Sequence, residues 1–233
     1  MSRLFLFNCT IERMTTPTRF PFKQVGHAGP ALESRVDELR GRLGLIPPIL
    51  LAERTGASYL ELGQGRGEFH LVLLGASVIL TYPDFRATTA TTDTSLPAFK
   101  HALLLYYFLQ SDGVSSSHIW VSFADLPEGR IYAPAFQGYT GNELAKAFCM
   151  DLNAFHAACQ KADGVPVVFG DAAYCFRTLP HMDLLVVYRL GDEDFPSTCN
   201  LLFDGNAGHY LPAEACAILG SLLTQKILRC IST

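Results

Sequence analysis

The stretch 57-ASYLELGQGRGEFHLVLLGASVILTYP-83 contains three apolar runs separated by glycine-containing turns. Each run has the length and the leucine, β-branched and aromatic content of a strand. The separators GQGRG and Gly75-Ala76 are short enough for hairpins, so the stretch predicts an antiparallel meander of three strands. The glycine spacing of GQGRG does not match a dinucleotide fingerprint, which also needs a helix after its strand.

The same pattern predicts further strands along the chain. They are HIWVSF (118–123), an edge piece IYAP (131–134), AAYCFRT (172–178), DLLVVYRL (183–190) and CNLLFD (199–204). Strands and helices occur in separate clusters rather than in alternation. The chain is therefore predicted to be α+β, with about six to eight strands in mainly antiparallel sheet packed by helices.

Apolar spacing and end signals predict the helices. Leu32, Val36, Leu39 and Leu43 form one stripe of a first helix. The other helices are predicted from Pro48 to Gly56, from Ser95 to Tyr107, from Thr140 to Phe148, after Asp151 as N-cap, and from Pro212 to Arg229. Thr140 and Glu143 match the T-x-x-E pattern of a capping box.

The domain organisation follows from composition. Residues 1–30 are predicted to be an extended N-terminal lead-in, because 14–30 are rich in Pro, Thr and Gly. Residues 31–233 are predicted to form a single α+β domain, which is long enough to bury a core without disulfides. Met14 is a plausible alternative start, so we expect residues 1–13 to be dispensable.

Charge and hydropathy exclude some functions and favour others. The net charge is −4 and the 18 Lys and Arg are scattered, which argues against binding to nucleic acid. Charged residues make up 17% of the chain, where about 25% is usual. We expect part of the surface to be apolar and to contact a protein partner or a second copy. No run reaches the roughly 20 apolar residues of a membrane span, so no transmembrane segment is expected.

The seven cysteines include no CxxC pair, and most have apolar neighbours. This pattern is typical of core cysteines in a reducing compartment, so the predicted location is cytoplasmic. His156 and Cys159 lie three residues apart on a predicted helix, but no second pair completes a zinc site. No metal site is predicted.

No catalytic residue is predicted, because G-x-S-x-G, H-E-x-x-H and S-x-x-K are all absent. A site assembled from distant residues stays open. Arg177 and His181 are predicted to lie at one end of the sheet, where they could face an anionic ligand. The alternative is an exposed Arg177 paired with a carboxylate such as Asp183.

The stretch 191-GDEDFPSTCNLLFDGNAGHYLP-212 is rich in potential ligands. Its acidic residues are interpreted mainly as turns and caps around a strand. His209 lies in a loop that enters a helix, and it is the best single candidate for an axial tetrapyrrole ligand or an acid–base group. A capping or packing role for His209 is the alternative.

Four segments carry a resemblance to a known family: LTYPD (80–84), PAFQGYTGNELAKAF (134–148), GDAAYCFRTLP (170–180), and DEDFPSTCNLLFD followed by HYLP. From about residue 57 to the end, the chain resembles the domain-of-unknown-function 3786 family. The resemblance implies a cytoplasmic prokaryotic α+β domain without an assigned activity. It also implies accessory work around redox or tetrapyrrole cofactors, since some relatives are joined to iron–sulfur domains or occur among corrinoid and one-carbon enzymes. The family supplies no catalytic residues, and this chain lacks the cysteine-rich cluster domain.

Three hypotheses about function follow. The first is a non-catalytic binding or accessory protein, a subunit or partner of a larger redox- or cofactor-handling assembly. The second is a tetrapyrrole-binding (heme or corrinoid) or metal-binding protein that uses His209, with Arg177, His181 or Cys199 nearby. The third is an enzyme with a dispersed site that includes Asp171, Arg177 and His209.

Overall fold

The computed structural model describes the backbone of residues 30–231, with side chains from residue 34. Within this range the helices are α1 Pro30–Leu43, α2 Pro48–Thr55, α3 Ala98–Gln110, α4 Ala133–Tyr139, α5 Gly141–Phe148, α6 Leu152–Lys161 and α7 Ala213–Arg229. The strands are β1 Ser58–Gly63, β2 Arg66–Leu73, β3 Ala76–Tyr82, β4 Ala87–Thr89, β5 Trp120–Ser122, β6 Val165–Val167, β7 Ala172–Leu179, β8 Met182–Arg189 and β9 Thr198–Asp204. Two short 3₁₀ turns cover Phe123–Asp125 and Ala207–His209.

The first sheet is the predicted meander, with one added strand, in the order β1-β2-β3-β4. Its first two hairpins use two-residue turns, Gln64-Gly65 and Leu74-Gly75, in which all four residues have positive φ. This is the turn type whose twist matches that of paired strands. Phe69 on β2 is fully buried and contacts the rings of Tyr59, Tyr82, Phe85 and Phe108.

The second sheet has the order β5-β9-β8-β7-β6, and every pair in it is antiparallel. One face belongs to the same apolar core as the first sheet, and the helices α3, α5, α6 and α7 contribute to that core. The Leu74 amide donates a hydrogen bond to the Thr178 carbonyl (2.9 Å), which links the two sheets. Lys226 on α7 donates to the Leu74 carbonyl and to Asp163, and so ties the last helix to the same junction.

These elements confirm the α+β class and the antiparallel pairing. Nine strands are present in residues 30–231, against the expected six to eight, because the three-residue strands β4 and β6 were not among the predicted ones. The edge strand predicted at Ile131–Pro134 is wrong. The chain turns there and enters α4 at Ala133, since Pro134 fits the first turn of a helix, where its missing N–H costs nothing.

The capping box predicted at Thr140 is also wrong, although α5 does begin after it. The Thr140 hydroxyl donates to the Phe136 carbonyl at 2.5 Å instead of accepting from the first turn of α5. The Thr140 hydroxyl therefore binds the end of α4, whereas the sequence pattern predicts that it caps the start of α5. The Asp151 cap is confirmed, because its side chain accepts from the Ala154 amide at 2.8 Å.

The predicted lead-in (1–30), apart from Pro30, and the dispensable segment 1–13 lie outside the described residues. No helix in residues 30–231 is both long and apolar enough to cross a bilayer.

Candidate functional site

Two regions of the described structure have features of a functional surface. The first, called the histidine corner, contains His181, His209 and Arg177, the residues singled out from the sequence, together with Asp112 and Tyr210. The second lies at the opposite end of β7 and consists of exposed apolar side chains.

His209 is held by a hydrogen bond to Asp112, just beyond the end of α3. His209 Nδ1 lies 2.6 Å from Asp112 Oδ2, and both side chains are about half exposed. This hydrogen bond lowers the pKa of Asp112. An ionised carboxylate only accepts, so His209 Nδ1 is the donor in this hydrogen bond. His209 therefore has one nitrogen oriented by the protein, and this hydrogen bond does not use the other, Nε2.

Two contacts fix the loop that carries His209. Gln110 Nε2 donates to the Gly208 carbonyl at 2.5 Å, and the Tyr210 hydroxyl donates to the Val114 carbonyl. These two hydrogen bonds attach the residues before and after His209 to the end of α3 and to the segment that follows α3. Sequence spacing does not reveal this pairing, since Asp112 and His209 are 97 residues apart.

His181 lies beside Tyr210, the residue that follows His209. The two rings have centroids 5.5 Å apart, and the His181 amide donates to Tyr107 Oη at 3.2 Å. His181 Nε2 packs against Gly56, where a Cβ would come within 2.7 Å of it. Partial burial and the charge of Arg177 both lower the pKa of His181, so the ring is neutral at neutral pH.

Arg177 makes the ion pair that the sequence offered as its alternative role. Both carboxylate oxygens of Asp183 accept from the guanidinium, and Nη1 donates to the Pro180 carbonyl at 3.1 Å. The Arg177 side chain is two-thirds exposed (66%). Its donors are thus largely used within the β7–β8 hairpin.

The structure does not bring the other candidates to the histidine corner. Asp171 precedes β7, whereas Arg177 lies near the other end of that strand, and Asp171 accepts from the Leu190 amide. Cys199 is fully buried in β9, and burial raises its pKa to about 12. His156 pairs with the Tyr174 hydroxyl at 2.8 Å. Among residues 34–231 no three His, Cys, Asp or Glu side chains are grouped as a metal site would need.

The second region lies where β6 turns into β7 and β8 leads into β9. We call it the apolar end. Its members are large apolar side chains that face solvent: Val165, Val167, Val168, Phe169, Leu190 and Phe195. Val168 is fully exposed and Phe195 is 70% exposed. The hydrogen bond from the Leu190 amide to Asp171 (2.8 Å) joins the two loops that carry these residues.

The apolar end continues onto the face of the second sheet that points away from the main core. Val165 pairs with Cys175 and Val167 pairs with Ala173 across the β6–β7 ladder. Opposite residues of an antiparallel pair share a face, so these four side chains lie on one surface. Ala173, Leu185 and Val187 form a separate buried cluster on that face, bordered by Trp120, Cys175 and Leu202.

A family model described as a domain of unknown function (DUF3786) matches residues 48–226. The chain belongs to this family. Both sheets, the histidine corner and the apolar end lie within the matched range, so all of them are parts of the DUF3786 domain. No curated protein matches the chain, and no solved structure does either.

The apolar end of this DUF3786 domain was not predicted from the sequence. The signal was the run VPVVF (165–169) between Gly164 and Gly170, which has the composition of a short strand interrupted by proline. Phe195 lies in an acidic turn of the β8–β9 loop, which the Leu190–Asp171 hydrogen bond joins to the loop after this run. Nothing in the order of residues indicates that the two loops are joined.

Proposed function

We propose that this DUF3786 protein is a non-catalytic accessory protein, and that the apolar end is the surface that contacts its partner. The supporting observation is the concentration of Val165, Val168, Phe169 and Phe195 at one end of one sheet, with 63%, 106%, 41% and 70% of each residue exposed. Single exposed apolar side chains are ordinary, but a contiguous group of them marks an interaction surface.

Burial of this group would supply the free energy of association. Full burial of a Val or Phe side chain contributes about 1.5–3 kcal/mol. β6 is a three-residue edge strand with Pro166 at its centre, so it offers few N–H groups to an incoming strand. The partner would therefore contact side chains rather than extend the sheet. By family resemblance, we expect the partner among redox- or cofactor-handling proteins.

The proposal includes a cytoplasmic location. The six cysteines in the described part of the chain are all unpaired, as expected for a protein kept in a reducing compartment.

A site-specific photo-crosslinker tests the partner surface. We would place p-benzoylphenylalanine at Phe195 or Phe169, with Thr91 as the exposed control position on the other sheet, and express each variant in the native host. The expected result is one polypeptide crosslinked from 195 and 169 but not from 91. Mass spectrometry would identify it, and the same polypeptide should co-elute with the unmodified protein.

A second substitution tests whether the crosslink depends on binding at the apolar end. With the crosslinker at position 169, Phe195→Ser should reduce the yield about tenfold or more, since loss of one buried aromatic costs at least 1.4 kcal/mol. Phe195 is exposed, so the variant should keep its fold. Equal yields from 195, 169 and 91, or none from any position, would count against the proposed surface.

A second candidate function is binding of a heme or another metal-containing tetrapyrrole at His209. The supporting observation is the Asp112–His209 pair, because metal-bound histidines usually donate their other N–H to a carboxylate. His209 would hold the metal of such a group through Nε2, since the hydrogen bond to Asp112 uses Nδ1. His181 does not fit as a second ligand, because its ring packs between Tyr210 and Gly56. A bound tetrapyrrole would supply the redox or group-carrying chemistry, while the chain would orient His209.

Titration with hemin tests this second candidate. The expected result is a shifted Soret band that is lost in His209→Ala, kept in the control His70→Ala, and weakened about 10- to 100-fold in Asp112→Asn. A band of equal intensity in His209→Ala would exclude His209 as the ligand.

A further inference from the structure

We propose that the apolar end recognises a protein surface bordered by Lys and Arg, and that a second copy of this chain does not bind there. The inference rests on the proposed partner surface and adds the chemistry of the partner. The observation behind it is the set of charged residues that surround the apolar end.

Four carboxylates border the apolar end. Asp171 lies between Phe169 and β7, and Asp192, Glu193 and Asp194 directly precede Phe195. All four residues are exposed. Arg189 is the nearest basic residue in the sequence at this end, so the local net charge is about −3 if all five groups carry their ordinary charges at pH 7. Among residues 34–231, none of the ion pairs involves any of these four carboxylates.

The turn holds the carboxylates in a defined position relative to Phe195. Asp192 Oδ1 accepts from the Asp194 amide (2.9 Å) and from the Phe195 amide (2.8 Å), and the Asp192 amide donates back to the Phe195 carbonyl (2.8 Å). Phe195 is therefore the last residue of an acidic turn that it closes by hydrogen bonds to Asp192. A partner that covers Phe195 has to approach within a few ångströms of these negative charges.

The negative charge around the apolar end favours some binding partners over others. Two copies joined through the apolar end would bring two acidic turns together, and like charges across an interface disfavour association. A partner with basic residues around an apolar centre would gain attraction instead and would associate faster at low salt. An anionic membrane surface would be repelled for the same reason as a second copy.

Two synthetic amphipathic helical peptides would serve as probes. They share one apolar face, and their polar faces carry Lys in one peptide and Glu in the other. We would measure binding by fluorescence anisotropy and map it by NMR chemical shifts on the full chain. The Lys peptide is expected to bind at least about tenfold more tightly than the Glu peptide, a difference that shrinks as salt rises. The shifted amides should belong to 165–169 and 190–195.

Matched charge-neutralising variants distinguish attraction of the Lys peptide by the acidic turn from attraction by the negative charge of the whole protein. Asp192→Asn, Glu193→Gln and Asp194→Asn together should remove most of the preference for the Lys peptide. The control makes the same charge change on the other sheet and its neighbouring helix, with Glu53→Gln, Asp84→Asn and Asp93→Asn, all exposed. It should leave the preference intact. Phe195→Ser should weaken binding of the Lys peptide about tenfold while circular dichroism stays unchanged.

Three outcomes would overturn the inference. Equal binding of the two peptides, or equal effects of the two neutralised variants, would show that the acidic turn does not select the partner. Self-association in sedimentation velocity that disappears in Phe195→Ser would show that a second copy is the occupant. After any of these three outcomes the apolar end would still be a protein-binding surface. Failure of the crosslinking experiment, by contrast, would contradict the proposed function itself.

Discussion

Replacing Asp204 with alanine is expected to lower the free energy of unfolding by about 3–5 kcal/mol, since hydrogen bonds to a buried charged group contribute about 1.5–3 kcal/mol each. Asp204 ends β9 and is only 5% exposed. Its carboxylate accepts five hydrogen bonds, from the hydroxyls of Ser116 and Ser117 and from the amides of Ser117, His118 and Asn206. Truncation would leave three main-chain N–H groups without this acceptor.

Urea unfolding of the two proteins would measure this loss. Asp192→Ala is the matched control, because Asp192 also accepts from two amides but is exposed, so water can replace it. We expect the control to cost less than about 1 kcal/mol. A loss at Asp204 no larger than at Asp192 would contradict the role of Asp204 in holding the 115–119 loop.

The same carboxylate gives a pH dependence with a defined sign. Burial by itself would raise the pKa of Asp204, but the hydrogen bonds from Ser116, Ser117 and Asn206 outweigh it and lower the pKa. A lowered pKa in the folded state means that the contribution is complete above the unfolded value of about 3.9 and is lost as the pH falls through the folded pKa. The stability gap between the natural protein and Asp204→Asn should be flat from about pH 5 to 7 and should shrink below about pH 4. A gap that widens as the pH falls would contradict this assignment.

The second large effect is expected at Gly141, the first residue of α5. A Cβ at this position would lie well inside the van der Waals distance of the Cys199 carbonyl oxygen and would also meet the Gln137 amide nitrogen. Cys199 is fully buried and paired with Tyr188 in the sheet, so its backbone cannot move aside. Gly141→Ala should therefore lift the start of α5 from β9 and lower the unfolding free energy by about 3 kcal/mol.

Gly138 provides the control within the same PAFQGYTGNEL segment. It lies in α4, and no atom lies within 4 Å of the position that its Cβ would take. Alanine is the better helix former, so Gly138→Ala should raise the stability by about 0.5–1 kcal/mol. Thermal and urea unfolding of both variants would be compared. Equal effects of the two substitutions would show that the α5–β9 contact does not require glycine at 141.

The histidine corner illustrates which neighbouring residues can be predicted from the sequence and which cannot. Arg177 and His181 both lie at the β7–β8 hairpin, because strand pattern and a short turn keep residues close in sequence at one end of a sheet. His209 was recognised only as a histidine in a loop. Its partner Asp112 is separated from it in the sequence by all of α4–α6 and β5–β9, so no local period or spacing could connect the two residues.

Local signals in the sequence are sufficient for the α+β class and for most of the helices and longer strands. Alternation in 57–83 and 172–204, proline at helix starts and glycine in turns are local signals, because they reflect backbone sterics and the pleat of a strand. Errors arose where one local signal had two possible uses. Thr140 could serve the helix before it or the helix after it, and Pro134 could end a strand or begin a helix.

Which distant segments share a surface depends on how the two sheets assemble. Groups of Ser116, Ser117 and His118 converge on Asp204, and a hydrogen bond from Leu190 to Asp171 joins the two loops of the apolar end, because sheet order brings these segments together. Sheet order depends on the total burial of apolar surface, to which every strand contributes, and not on any single stretch. For that reason the apolar end, which carries the proposed function, could not be recognised before the strands were assembled.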